Sequence, residues 1–249
     1  MIVKKNKFGF KIIEFWLEDK KAVSLEILKK QYGKIFLLSY KKKDIPGFSV
    51  KIKKTPLIRL IMPLEEIFSK FNETARKKIR RSEREDNLKI LIEDKNFEEA
   101  YKLYRDHVRA YGEIPESREE LKKCIIFSAY LRKELISAIF CFAGEESIRA
   151  KIICSKRFAE SEQEIKKTIS NATYGLIWEI SQYAKEKKYK YFDLGSVNLD
   201  NPARQGNAQF KKSFSPEIVN EYYYVHKSGL YKIFEKLIKI KLLLYKLLK

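Results

Sequence analysis

A chain of 249 residues, 45% of them hydrophobic and with 16 Phe and 15 Tyr, can bury a sizeable core, which excludes disorder as a global description. Its 53 lysines and arginines against 33 acids leave a formal charge of +20 and call for an anionic partner: a phosphorylated cofactor, a nucleic acid or an anionic membrane surface. A composition enriched in lysine throughout, as hot habitats favour, would also give a high total. The three cysteines, Cys124, Cys141 and Cys154, lie in apolar runs without CxxC spacing, and the histidines are only His107 and His226. This pattern supports neither a disulfide framework, nor a zinc site, nor a histidine-based triad, and it fits buried thiols in a reducing compartment. The opening Met1-Ile2-Val3-Lys4-Lys5 lacks the apolar stretch of a signal peptide, and lysines interrupt every long apolar run. The expectation is a cytoplasmic protein with peripheral contact at the inner face of a membrane.

In chain order, short strands are expected at Ile35–Tyr40, Phe48–Ile52 and Leu57–Met62, around the turn signal Pro46-Gly47. After Pro63 the period changes: Leu64, Ile67, Phe68, Phe71, Ala75 and Ile79 predict one helix from Leu64 to Glu85. A strand at Leu88–Ile92 and a helix at Phe97–Tyr111 follow, the helix carrying Ala100, Leu103, Tyr104, His107 and Val108 on one stripe. A short helix is expected at Arg118–Cys124. Ile125–Leu131, Leu135–Phe142 and Ser147–Cys154 are apolar runs separated by hairpin-length breaks, which predicts an antiparallel meander. In the third run Ile148, Ala150, Ile152 and Cys154 are expected to share one face.

A long helix comes next, with Leu176, Ile177, Ile180, Tyr183 and Ala184 as its buried stripe and Ser170 or Asn171 as its cap. A strand at Tyr189–Leu194, a short helix near Gln205–Ser213 and a last strand at Ile218–Val225 lead to a basic amphipathic helix, Leu230–Leu248. That order predicts an α/β protein of the α+β type: a mixed, mostly antiparallel sheet with helices on both faces. The expected segments are a β-rich N-terminal part (1–63), a main domain (64–226) and the C-terminal helix (227–249).

Four segments carry a resemblance. They are Asn72-Glu73-Thr74-Ala75-Arg76-Lys77-Lys78-Ile79-Arg80-Arg81-Ser82, Tyr101-Lys102-Leu103-Tyr104-Arg105-Asp106-His107, Tyr191-Phe192-Asp193-Leu194-Gly195 and Phe210-Lys211-Lys212-Ser213-Phe214. In their order and spacing over residues 64 to 225 the chain resembles the GNAT acyltransferases, and within them the FemAB-like group. The resemblance implies transfer of an acyl group from a thioester such as acyl-CoA, or of an aminoacyl group from charged tRNA, onto an amine. No bound cofactor is implied.

The tRNA-dependent members carry two complete GNAT-like domains. This chain has one and a short N-terminal part, which favours a simpler N-acyltransferase acting on a cell-envelope precursor such as an amino sugar. A binding module that keeps the fold without the chemistry is the rival from another class.

The resemblance also implies roles for single residues. Lys211, in the Phe-Lys-x-x-Phe pattern, is expected to stabilise charge on the carbonyl under attack. Asp193, at a strand end, orients the acceptor amine or takes its proton, or else caps the next loop. The strands carrying Ala150, Ile152 and Asp193 splay around the carrier arm, and Tyr174-Gly175 at the start of the long helix present backbone N–H groups to a pyrophosphate, or else Gly175 lets the helix pack tightly on a strand. The arginine-glycine phosphate loop of acetyl-CoA users is absent before that helix.

Read from the residues alone, Arg76, Arg80 and Arg84 share one helix face beside Lys77 and Arg81. Such an array suits sugar-phosphate oxygens, or is a solvated surface. Tyr104 joins Arg76, Arg80 and Arg81 as a substrate-side candidate, with core packing as its alternative. The C-terminal helix, with lysines from Lys232 to Lys249 against the single acid Glu235, suits an anionic membrane surface or docking on the domain.

Overall fold

The computed structural model describes residues 2–7, 9–16, 25–110, 115–198, 205–215 and 217–247. The chain divides into two compact units, Met1–Lys53 with Asn220–Lys249, and Lys54–Val219. The N-terminal strands and the C-terminal helix therefore belong to one unit.

In the first unit β1 (Ile2–Lys7) and β2 (Phe10–Trp16) form an antiparallel hairpin. Gly9 supplies the left-handed φ of +80° at its turn. Helix α1 (Leu25–Gln31) leads to β3 (Lys34–Ser39), which lies parallel to β2. The end of the last strand pairs antiparallel with β3, Tyr224 opposite Leu37. Ile13, Phe15, Leu28, Ile35, Leu37 and Tyr224 make this core. The C-terminal helix, Gly229–Leu247, sets Tyr231 and Phe234 against Phe10 at ring distances of 5.2 and 5.3 Å.

The second unit begins within β4 (Ser49–Arg59) and carries α2 (Leu64–Lys70), α3 (Glu73–Glu83), β5 (Leu88–Leu91), α4 (Phe97–Ala110) and α5 (Arg118–Leu121). The expected single helix over 64–85 is broken in two. Phe71 turns to extended backbone, and Asn72 caps α3 by accepting the Ala75 N–H at 2.9 Å. Such a cap is worth about 1 kcal/mol.

The meander is as expected: β5, β6 (Ile125–Leu131), β7 (Glu134–Ala143) and β8 (Ser147–Ser155) run antiparallel in order. Helix α6 (Gln163–Glu186) returns the chain to β9 (Tyr191–Asp193), parallel to β8 and antiparallel to β4. Then come α7 (Gln205–Lys212) and β10 (Ile218–Lys227), which passes into the first unit, where the C-terminal helix is α8.

Helices cover both faces of the six-strand array β4-β9-β8-β7-β6-β5. On one face α3 and α6 bury Ala75, Ile79, Ile177 and Ile180 against Phe127, Ile139 and Phe192. On the other α4 buries Ala100, Leu103 and Tyr104 against Ile126, Leu135 and Phe140. The predicted fold class holds: a mixed, mostly antiparallel α/β architecture.

One strand departs from its predicted alternation. Across β7–β8, Cys141 faces Ala150 and Phe140 faces Ile152, so Lys151 is an inserted residue. An extra residue reverses the faces beyond it. Ile148 and Ala150 point into the α6 core, whereas Ile152 and Cys154 pack with α4.

Candidate functional site

The pairing of β8 with β9 stops where β8 still has residues to run. Ser147, Ile148 and Arg149 lie opposite Tyr191, Phe192 and Asp193, and β8 then continues to Ser155. The pairing ends at Arg149 and Asp193, where β9 itself ends.

Asp193 is fully buried. Its Oδ1 accepts the Thr55 hydroxyl and the Gly195 N–H, the latter at 2.7 Å, and its Oδ2 takes the Arg149 guanidinium. Arg149 is itself 4% exposed and reaches the Ser196 hydroxyl at 3.4 Å. A buried ion pair survives only when hydrogen bonds satisfy both partners, and here they do so for the carboxylate on both oxygens. This is the geometry of the loop-capping alternative.

Gly195 makes the turn possible, with φ +79°; a Cβ there would meet the Ala150 carbonyl oxygen at 2.9 Å and the Lys211 ammonium at 3.3 Å. From α7, Lys211 donates to the carbonyls of Gly195 (3.2 Å) and Ser196 (3.1 Å). Lys211, Asp193 and Ala150 are thus gathered at one point. The Lys211 ammonium stands beside the buried Arg149–Asp193 pair, and a cation so placed suits a developing oxyanion.

Arg149 and Thr55 complete the constellation, and sequence reasoning gave neither a role. The available signal was an arginine inside the apolar strand Ser147–Cys154, at the step that faces Asp193.

Other candidates stand elsewhere. Helix α6 begins at Gln163, not at Ser170, because nothing in 163–169 breaks a helix. Tyr174 and Gly175 are therefore about three turns inside it, where N–H groups bond along the helix rather than to a ligand. Gly175 serves packing, since a Cβ there would lie 2.4 Å from the Ser82 hydroxyl of α3. Tyr174 packs edge-on to Phe210 of α7 at 4.8 Å and meets Phe214 at 5.0 Å. The approach to α6 carries a carboxylate of the chain itself: Glu160 accepts the N–H groups of Ser161 (2.7 Å) and Glu162 (2.9 Å). Those bonds hold its pKa below the usual carboxylate value.

Ile152 is on the opposite face from Ala150, for the reason given above. Arg76 donates to the carbonyls of Ser69 (2.8 Å) and Phe71, closing the end of α2. Arg80 lies over the Phe68 ring at 5.6 Å, and Arg81 is exposed. Tyr104 is buried on the α4 face, where its hydroxyl accepts the Glu116 N–H at 2.8 Å and burial pushes its pKa up to about 12. Two surface cavities, of about 590 and 340 Å³, include no residue of the Asp193–Lys211 cluster. The convergence of charged groups, rather than cavity size, marks the site.

No family model and no curated protein matches the chain. Solved structures do. FemX superposes with a TM-score of 0.61 at 11% identity, over 94% of this chain and 86% of that one. The C-terminal domain of a protein assigned as a lysylphosphatidylglycerol synthetase, from Agrobacterium fabrum, gives 0.57 at 11% identity, over 94% and 83%. A conserved protein of unknown function from Bacteroides thetaiotaomicron gives 0.55 at 11%, over 91% and 82%. The chain therefore has the fold of FemX.

Proposed function

We propose that the chain is an N-acyltransferase that moves an acyl group from an activated carrier to an amine of a cell-envelope precursor, such as a nucleotide- or lipid-linked amino sugar. The observation that carries this reading is the convergence of Lys211 with the buried Arg149–Asp193 pair where the β8–β9 pairing ends. The amine lone pair attacks the acyl carbon, and the carbonyl oxygen gathers negative charge. The carrier's sulfur or oxygen then leaves, with the proton that the amine gives up. Lys211 stabilises the oxyanion, while Asp193 positions Arg149 and the Gly195 turn.

Two carriers are in contention, an acyl thioester such as acyl-CoA and an aminoacyl-tRNA. Glu160 on the approach to α6, and the missing arginine-glycine loop, weigh against a diphosphate in the usual place and favour the tRNA carrier. The names of FemX and the lysylphosphatidylglycerol synthetase domain support an envelope setting.

The same reading places the protein at the cytoplasmic face of the membrane. On α8, Leu230, Ile233, Leu237 and Ile240 form an exposed stripe, between 54% and 73% accessible. Lys232 and Lys236 of the same helix are exposed, and the helix's one acid, Glu235, pairs with Lys227 at 2.6 Å. An anionic lipid surface matches both the apolar stripe and the charge.

A thermal-shift panel of acetyl-CoA, longer acyl-CoAs, charged tRNA and nucleotide-linked amino sugars tests the function. A ligand at a hundredfold its Kd adds about 2.7 kcal/mol and raises Tm. A rise with charged tRNA or an acyl-CoA is expected; no rise with any member of the panel sinks the reading.

A further inference from the structure

The cavity of about 340 Å³ lies between the connection from β5 to α4 and the start of β6. Strands β7 and β8 stand between β6 and β9, so three strand spacings, about 14 Å across the sheet, separate it from the Asp193 cluster.

Glu93 lines this cavity with a left-handed backbone, φ +53°, which a residue other than glycine keeps only where its surroundings fix it. They do so here. The Asp94 N–H donates to the Ile126 carbonyl at 2.8 Å, and the Tyr183 hydroxyl donates to Glu93 Oε1 at 2.6 Å. That second bond is the main cause holding the Glu93 carboxyl below its usual pKa, so it is charged at neutral pH. Among the described residues its Oε2 accepts no hydrogen bond. Asp94 is fully used by comparison: Oδ1 takes the Asn96 N–H and Oδ2 the Tyr130 hydroxyl, each at 2.9 Å.

The cations of the cavity are Lys95 and Lys122, both exposed. Lys122 stands 5.7 Å from the centre of the Phe97 ring. Arg118 stands over the same ring and is paired with Glu98. Lys95 and Lys122 form no ion pair among the described residues. Phe97 and Ile125, both half-buried, give the cavity apolar surface. A carboxylate oxygen and two ammonium groups around apolar surface complement a ligand that carries both charges on an apolar body. A lone anion would meet the Glu93 carboxylate, and a lone amine the two lysines.

We propose that this cavity binds a free α-amino acid with an apolar side chain. Lys95 and Lys122 hold its carboxylate, Glu93 its ammonium, and Phe97 and Ile125 its side chain. This binding is independent of the acyltransferase reading, since none of these residues belongs to the Lys211 site.

Isothermal titration calorimetry on the full chain tests it. The probes are L-phenylalanine and L-leucine, with 3-phenylpropionate as the carboxylate half alone and 2-phenylethylamine as the ammonium half alone. The variants are Lys95→Ala/Lys122→Ala, Glu93→Gln and a control, Lys77→Ala, whose lysine α3 pairs with Glu73 at 2.6 Å. The two cavity lysines are exposed, and Glu93→Gln keeps an oxygen for the Tyr183 hydroxyl, so each variant folds, which a melt verifies.

Expected is binding of at least one amino acid by the wild type, with each half-molecule weaker by about tenfold or more. The double variant loses about tenfold or more in affinity for the amino acid, the loss of charge-assisted hydrogen bonds. Glu93→Gln weakens the amino acid but not 3-phenylpropionate, which has no ammonium, and Lys77→Ala stays within about twofold. A wild type that binds neither amino acid overturns the site, as does a double variant that binds them as the wild type does. A half-molecule that binds as tightly as phenylalanine overturns the class of ligand. A Lys77→Ala as weak as the double variant reduces the effect to net charge and overturns the site as well.

Discussion

Asp193 accepts from Thr55, Gly195 and Arg149 and has no exposed surface, so removing it takes this carboxylate from a buried Arg149. Breaking such a pair costs about 3–5 kcal/mol, and Asp193→Ala should lower the unfolding free energy by that order. Urea denaturation measures it. Arg149→Met in the same background should recover part of the loss, and a loss below about 1 kcal/mol would remove the anchoring role. The cysteines make a second case at this scale. Burial pushes the thiols of Cys124 and Cys154 up to about 12, and that of Cys141 well above its usual value. At pH 8 a pKa of 12 leaves about one thiolate in ten thousand, so iodoacetamide should leave the native protein unlabelled over minutes. Rapid native labelling would show that these runs open.

Between α3 and α6, Gly175 lets the helices meet at Ser82, and a methyl group there would sit 2.4 Å from the Ser82 hydroxyl. Gly175→Ala should destabilise by about 1–3 kcal/mol despite the better helix propensity of alanine, and Ser82→Ala should relieve part of it. Equal or higher stability of Gly175→Ala would contradict this packing. The meander β6–β7–β8 was legible in the sequence almost to the residue, because its apolar runs are bounded by short polar breaks. The hairpin β1–β2 was not, since Lys4, Lys5 and Lys7 mask its alternation. The start of α6 was misplaced because Ser170 and Asn171 look like caps, yet Lys78 takes the Ser170 hydroxyl from outside. The face reversal at Lys151 lies in pairing with β7, which no single strand reveals. Of the site, Lys211 and Asp193 were readable from their segments. Arg149 and Thr55 were not, because their role exists only once β4, β8 and β9 are side by side.

The whole chain carries a charge of +20, to which α8 adds five lysines against one acid. No helix among the described residues is long and apolar enough to cross a membrane, so α8 would lie on a bilayer rather than span it. Sedimentation with vesicles should show binding when they carry an anionic lipid, weakening as salt rises. Replacing Leu230, Ile233, Leu237 and Ile240 with serine should abolish it. Equal binding to neutral vesicles, or no effect of the four serines, would deny α8 that role.

In the proposed reaction Lys211 stabilises charge during acyl transfer. Single-turnover transfer of a radiolabelled acyl or aminoacyl group to an amine acceptor, compared between the wild type and Lys211→Ala, tests it most directly. Expected are transfer by the wild type and a loss of about 10²–10³-fold in rate for the variant, which stays folded and keeps its carrier affinity. A variant as fast as the wild type, or a wild type that transfers from neither carrier, would contradict it.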